Sequence, residues 1–270
     1  MINKKLILMS GLPRSGSSLI QNILNQNPYF YATGTSPILN IILKLKNLYS
    51  NDLIIKSTPD KNKYDNYVNG IGGFISNYYE NNKNIIFDKN RGWANNLLLF
   101  DKIVKHKNTK IIFMYRDPIE VCNSMEHLHR KTILFENIDE QKMFNYDTLE
   151  ERIRRYIETG SILDRSILGL YDCLNTGYGN RCLIFPYNKF LKEPQLLMDE
   201  LHNFIDEPLY KYNFNNIKQV IFEDDEVWNF KFPHNIKEGK IIKPDNKMLI
   251  PETFQNLIKQ KYEAIYKIIN

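Results

Sequence analysis

At 270 residues, with 43% hydrophobic and 25% charged side chains, the chain can bury a substantial core and matches ordinary globular composition. A net charge of +5 favours anionic ligands, but the basic residues are scattered among acidic ones without the stripe that a nucleic-acid partner requires, which excludes that class. No stretch offers about 18 uninterrupted apolar residues, so no membrane span is predicted.

Cys122, Cys173 and Cys182 form an odd set without metal-ligand spacing, which argues against a disulfide framework or a zinc site. Reduced thiols fit a cytoplasmic location. Met1 to Lys5 followed by the apolar run Leu6 to Met9 has the outline of a secretory signal, but the run is too short and leads straight into a glycine loop.

In chain order, Lys5 to Ser10 reads as a buried parallel strand and Ser17 to Gln26 as the helix after it, with Leu19, Ile20, Ile23 and Leu24 at helical spacing. Asn27-Pro28 stops that helix, Phe30 to Ala32 forms a short strand, and Ser36 caps a helix begun by Pro37. A polar surface stretch from Asn51 to Asn66 precedes a helix around Tyr67 to Tyr79. Asn84 to Asp88 and Thr109 to Tyr115 are strands separated by a helix around Ala94 to Val104, a β-α-β rhythm that predicts a parallel sheet. A helix starts at Pro118, a long amphipathic helix covers Asp147 to Leu170, and Arg181 to Phe185 adds a late strand. Glu193 to Phe204 and Pro251 to Ile269 are further helices, and Ile221 to Lys247 is an irregular excursion of the kind that usually carries function. The expected architecture is a single P-loop-like α/β domain over residues 1–270, its central, mainly parallel sheet flanked by helices.

The first strand feeds Gly11-Leu12-Pro13-Arg14-Ser15-Gly16-Ser17-Ser18, a glycine loop that opens a helix. Its G-x-x-x-x-G-x-S spacing copies the nucleotide-binding P-loop, but Ser17 stands where such a loop needs the lysine that reaches the β- and γ-phosphates. What remains is an anion cradle of backbone N–H groups, a helix N-terminus and the Arg14 fork, with Pro13, Ser15, Gly16, Ser17 and Ser18 as its walls. Phe87-Asp88-Lys89-Asn90-Arg91-Gly92-Trp93 lies at a second strand end, and Phe113 to Met125, containing Arg116-Asp117-Pro118 and Ser124, at a third. In a parallel sheet such strand ends gather at one edge, where Arg116 and Ser124 can grip one phosphate by a charged fork and a hydroxyl.

Together these three motifs resemble sulfotransferases that use 3′-phosphoadenosine 5′-phosphosulfate (PAPS), and Phe185-Pro186-Tyr187, Leu191, Pro194 and Lys240-Ile241-Ile242-Lys243-Pro244 extend the likeness over most of the chain. The tyrosylprotein-sulfotransferase-like and the phage or bacterial members are the nearest in pattern. The resemblance implies that the first loop holds the 5′-phosphosulfate and that Arg116 and Ser124 hold the 3′-phosphate. It further implies that Tyr187 and Lys243 approach the nucleotide, and that Lys89 contacts the leaving oxygen with Arg14 as its catalytic companion. Arg91 would orient the substrate or anchor Asp88, and Trp93 would pack. Adenosine 3′,5′-bisphosphate (PAP) would be the product, no metal would be needed, and the acceptor would be a hydroxyl of a small molecule, glycan or peptide.

The tyrosylprotein branch carries a catalytic glutamate that is missing from Ala32-Thr33-Gly34-Thr35-Ser36-Pro37, where Thr35 occupies the corresponding offset from Arg14. Thr35 and Ser36 are expected to orient the acceptor. Candidate replacement bases are Glu126, His127, His129 and His234, with His234 leading because it precedes Lys243-Pro244 and has a suitable intrinsic pKa. Asp224, Asp225 and Glu226 read as a solvated acidic run. Two other readings stay open: a P-loop nucleotide kinase or other phosphotransferase, opposed by Ser17 and by the lack of a clear Walker-B-like acidic strand end, and a PAP-binding protein that has lost catalysis.

Overall fold

The computed structural model describes residues 4–58, 60–79, 83–104, 109–133, 148–228, 232–244 and 247–269. Five strands, β1 (Lys5–Gly11), β2 (Phe30–Thr35), β3 (Ile85–Lys89), β4 (Ile111–Tyr115) and β5 (Cys182–Pro186), form one sheet in the order β2-β3-β1-β4-β5, every pair parallel. The expected class, an α/β fold with a parallel sheet flanked by helices, is what the chain adopts. β3 and β4 are buried at every residue, as near-continuous apolar strands covered on both faces must be.

Side chains alternate between two cores with the period of two that a pleated strand imposes. Leu6, Leu8, Ile86, Ile111 and Phe113 face one layer of helices. That layer includes α2 (Ile38–Asn51), α4 (Lys63–Tyr78), α5 (Leu97–Val104), α6 (Pro118–Ile133), α7 (Leu149–Ile157), α8 (Ile162–Cys173) and the C-terminal α11 (Glu252–Lys261) and α12 (Glu263–Ile269). Ile7, Met9, Phe87, Ile112 and Met114 face the other, built from α1 (Ser17–Leu24), α9 (Tyr187–Lys192) and α10 (Pro194–Phe204). The short α3 (Leu53–Ser57) lies between α2 and α4, so the stretch expected to wind irregularly from Asn51 to Asn66 is partly helical.

The helix expected from Asp147 to Leu170 is two helices, and Asp147 itself lies outside the described residues. Thr148 and Glu151 make a reciprocal capping box that starts α7. Gly160, at φ 82°, then turns the chain, Ser161 caps the Asp164 N–H of α8 at 3.1 Å, and the Asp164 carboxylate accepts from the Gly160 N–H at 2.8 Å. Continuous amphipathic spacing was the weaker signal, because a second N-cap satisfies backbone donors that an unbroken helix would leave no reason to pair. The C-terminal helix likewise breaks at Tyr262.

Between α10 and α11 the described chain is irregular, as expected, with one antiparallel bridge, Ile217 to Gly239, and a 3-10 turn at Asp225–Trp228. Asn22 of α1 ties this excursion down, its Oδ1 accepting the backbone N–H groups of Val220 at 2.6 Å and Ile221 at 3.0 Å. Glu223 of this excursion reaches the ends of β2 and β3, and Pro233 the loop after β1.

Candidate active site

The loop after β1 needs glycine at both ends. A Cβ on Gly11 would stand 2.5 Å from the Met114 carbonyl oxygen, so only glycine lets β1 and β4 close up there. Gly16, at φ 82°, lies against the Tyr187 ring, which a Cβ would meet at 2.4 Å. Arg14 also takes a left-handed φ, 58°, and the Ser15 hydroxyl donates to the Leu12 carbonyl at 2.7 Å, closing the turn. Left-handed residues alternating in this way curl successive N–H groups toward one concavity, and α1 begins there with no side-chain cap. Pro13 is buried, and Ser17 and Ser18 are half-buried at the helix start.

Residues far apart in sequence converge on this loop. Arg14 Nε donates to Ser124 Oγ at 3.2 Å, and its Nη1 to the Pro233 carbonyl at 3.0 Å. Arg116 Nη1 donates to the Arg14 carbonyl at 2.9 Å, its Nε pairs with Glu120 at 3.1 Å, and its guanidinium rests 5.0 Å above the Tyr187 ring. Arg14, Arg116, Ser124 and Tyr187 are therefore one cluster. Burial and the neighbouring Arg116 push the Arg14 guanidinium down from its ordinary value, with Tyr187 and Asp225 opposing. Two guanidiniums held together against their mutual repulsion suit an anion bound between them. Lys243 is exposed, and among the described residues no hydrogen bond or ion pair joins it to this cluster.

The end of β3 makes the other half. Asp88 is fully buried and accepts from Ser36 Oγ at 2.6 Å, Trp93 Nε1 at 2.6 Å and the Tyr79 hydroxyl. Burial raises its pKa to about 6, against the Ser36 and Trp93 hydrogen bonds. Trp93 packs, as expected, edge-on to Phe100. Ser36 was expected to touch substrate, but its hydroxyl is committed to Asp88 and to the Ile38 N–H, because a buried carboxylate needs donors more than a solvent-facing acceptor does. Arg91 keeps an exposed surface and does not anchor Asp88; it lies within electrostatic reach of Glu223 and Arg14.

Lys89 is buried with its Nζ 3.1 Å from Glu223 Oε1, the same oxygen that accepts the Thr35 N–H at 3.0 Å. Burial lowers the Lys89 pKa while Glu223 holds it up. For Glu223 burial works upward, but Lys89, the Thr35 N–H and His234 together hold the carboxyl below its ordinary value. His234 Nδ1 stands 3.6 Å from Glu223 Oε2 and is hydrogen-bonded to Asp225 Oδ1, whose other oxygen accepts the His234 N–H at 3.3 Å. His234 is thus linked to Lys89 only through Glu223, which stands between them. A cleft of about 700 Å³ opens next to this group, walled by the end of β2, by Tyr78 and Tyr79, and by Phe222 and Glu223. Thr35 is exposed in that cleft.

The acidic run and the other base candidates differ from expectation. Asp225 is not solvated: it is 4% exposed and paired with His234, whereas Asp224 and Glu226 are exposed. Glu126 is fully buried in a structural knot, with Arg130 at 2.7 Å and Arg152 at 2.8 Å, which joins α6 to α7 and removes it as a base. His127 is tied to the Lys247 carbonyl at 2.8 Å, and His129 faces a separate cavity beside Arg152 and Tyr156. Glu223 itself was missed. Four consecutive acidic residues, Glu223 to Glu226, carry no pattern of residue type that could have singled it out.

A parallel sheet carrying a glycine loop, two converging arginines and a buried lysine at its strand ends has the layout of a P-loop-like anion site, with a cleft beside it. A sulfotransferase-domain family model matches residues 4–248, and the chain belongs to that family. No curated protein matches it. In fold it is similar to the sulfotransferase domain of the Synechococcus PCC 7002 olefin synthase (TM-score 0.60, 16% identity, 98% of this chain and 96% of that one). It is also similar to the sulfotransferase domain of the curacin biosynthetic pathway (TM-score 0.57, 13% identity, 96% and 97%). Among the described residues no helix is long and apolar enough to cross a membrane.

Proposed function

We propose that this sulfotransferase takes its sulfuryl group from PAPS and delivers it, without a metal, to a hydroxyl acceptor seated in the cleft beside Lys89. The observation that carries the reading is the convergence of Arg14, Arg116 and Ser124 at one end of the site with Lys89 at the other. When bound, PAPS supplies the sulfuryl group and an adenosine phosphate leaving group. Arg14 and the loop N–H groups would hold the 5′ anion, while Arg116 and Ser124 would hold the 3′-phosphate. The bonds described use two of the five N–H donors of each arginine, so both forks keep donors for oxygen. Lys89 would meet charge developing on the leaving oxygen, where a desolvated ammonium helps most. Thr35 would meet the acceptor at the cleft wall.

The phosphotransferase reading loses further ground, because Asp88, the carboxylate at the end of β3, is saturated by Ser36, Tyr79 and Trp93 rather than free for a hydrated cation. Calorimetric titration with PAP, ADP and adenosine 5′-phosphate tests the proposal. PAP is expected to bind at least tenfold more tightly than ADP, by virtue of charge-assisted bonds to the 3′-phosphate. Equal affinities, or binding only with magnesium, would favour a phosphotransferase. Tight PAP binding with no transfer to any acceptor would mark a protein that has kept the site and lost the chemistry.

A further inference from the structure

Thr35 holds the chain position where the resemblance expects a carboxylate, and its backbone N–H binds the carboxylate of Glu223, 188 residues further on. Glu223 Oε1 is engaged by that N–H and by Lys89, while Oε2 is directed to His234 at 3.6 Å. Glu223 also lines the cleft, whereas His234 does not line it and has its Nδ1 tied to Asp225. A base must reach the reacting hydroxyl directly or through one water, which favours the group on the cleft wall over the one behind it.

We propose that Glu223 takes the acceptor's proton and that Lys89 is its gate, resting on the carboxylate until the donor's leaving oxygen draws the ammonium away. This rests on the sulfuryl-transfer reading above. The charged groups facing Glu223 are Lys89 at the end of β3 and Arg91 just beyond it, and His234 with its partner Asp225 on the same loop, with the Thr35 N–H from β2. With Lys89 on the carboxylate, Glu223 is a poor base. Once the ammonium is shared with an oxygen of the nucleotide, burial is less opposed and the proton affinity of Glu223 rises. The base strengthens when donor is seated, and His234 with Asp225 positions it.

In the transfer step the acceptor oxygen bonds to sulfur as the bond from sulfur to the bridging oxygen breaks. That electron pair leaves on PAP, and the acceptor's proton passes to Glu223 and then to water. The products are a sulfate ester, PAP and one proton.

The test compares the wild-type protein with Glu223→Gln, which keeps the acceptor for the Thr35 N–H, and with His234→Gln. In PAP titrations near pH 5.5 in buffers of different protonation enthalpy, the wild type is expected to take up more protons than Glu223→Gln, since binding raises the proton affinity of this carboxyl. Glu223→Gln should also bind PAP at least threefold more tightly, because Lys89 is released from a competitor. PAP formation from PAPS with water as acceptor should fall at least 30-fold in Glu223→Gln and less than fivefold in His234→Gln. Equal proton uptake and equal rates in Glu223→Gln and wild type would overturn the assignment, and a larger loss in His234→Gln would move the base to the imidazole. Weaker PAP binding by Glu223→Gln would reduce Glu223 to a structural tie. If the wild type does not bind PAP at all, the donor reading fails instead.

Discussion

The two halves of the site are built in opposite ways. On the proposed donor side Arg14 follows β1, Arg116 follows β4, Tyr187 follows β5, and Ser124 lies on the helix after β4. Parallel pairing alone brings these ends to one edge, so the half is assembled by sheet topology. On the proposed acceptor side only Lys89 and Thr35 arrive that way. Glu223, Asp225 and His234 come from an irregular segment that reaches the site because Asn22 and the Ile217–Gly239 bridge hold it there. A nucleotide pocket can be inherited with the fold, whereas an acceptor pocket lined by a loop is free to vary, as loops on rigid scaffolds commonly do.

The largest effect expected to divide the halves is that of Lys89→Met, which removes charge at similar length. It should lower kcat by about 100- to 1,000-fold, the scale of losing a preorganised donor to developing charge, while PAP affinity changes by less than tenfold. Steady-state kinetics with parallel PAP titrations would settle it, and an unchanged kcat would remove Lys89 from the chemistry.

Next is Arg116→Ala, which should cost about 2 to 3 kcal/mol of PAP binding, as for a charge-assisted hydrogen bond lost, with little change in affinity for adenosine 5′-phosphate. If PAP and adenosine 5′-phosphate suffer equally, the residue is only a tether for the Arg14 carbonyl.

Asp88 tests whether the acceptor half is anchored by its buried carboxyl. Its pKa is raised to about 6 in the folded protein against 3.8 for the free side chain, so the folded state binds the proton more tightly. Its contribution to stability is full below about pH 4 and is lost as pH rises through about 6, a change of about 3 kcal/mol at most. Asp88→Asn should flatten that part of the stability curve measured by urea denaturation, and an unchanged slope would mean another group titrates there.

The smallest effect expected is that of Gly16→Ala, on the donor side alone. A Cβ there would meet the Tyr187 ring at 2.4 Å in a left-handed backbone, so about 1 to 2 kcal/mol of stability should be lost, with PAP affinity reduced alongside. Adding Tyr187→Ala relieves the clash but not the φ, so partial recovery of Tm would separate the two causes.

Much of this was legible beforehand because it rested on local chemistry. The apolar runs, the glycines and the Arg-Asp-Pro turn predicted a parallel sheet with phosphate-type loops at its ends, and the elements fell close to their expected bounds. Where bounds failed, as between α7 and α8, a cap and a left-handed glycine outweighed an amphipathic period. Ser36 and Glu126 were misread as free chemistry because nothing in a linear sequence says which buried partner will claim a polar group.

By itself the sequence determined the fold class and the likeness to sulfotransferases, since both rest on short runs of neighbouring residues: the apolar strands, the Gly11 to Ser18 loop and the Arg116-Asp117-Pro118 turn. Only the tertiary structure decided which carboxylate meets Lys89. Glu223 reaches that lysine across 134 positions through a loop without regular periodicity, and its approach depends on the Asn22 tether and the Thr35 N–H. Those are contacts between distant segments, and no spacing along the chain encodes them.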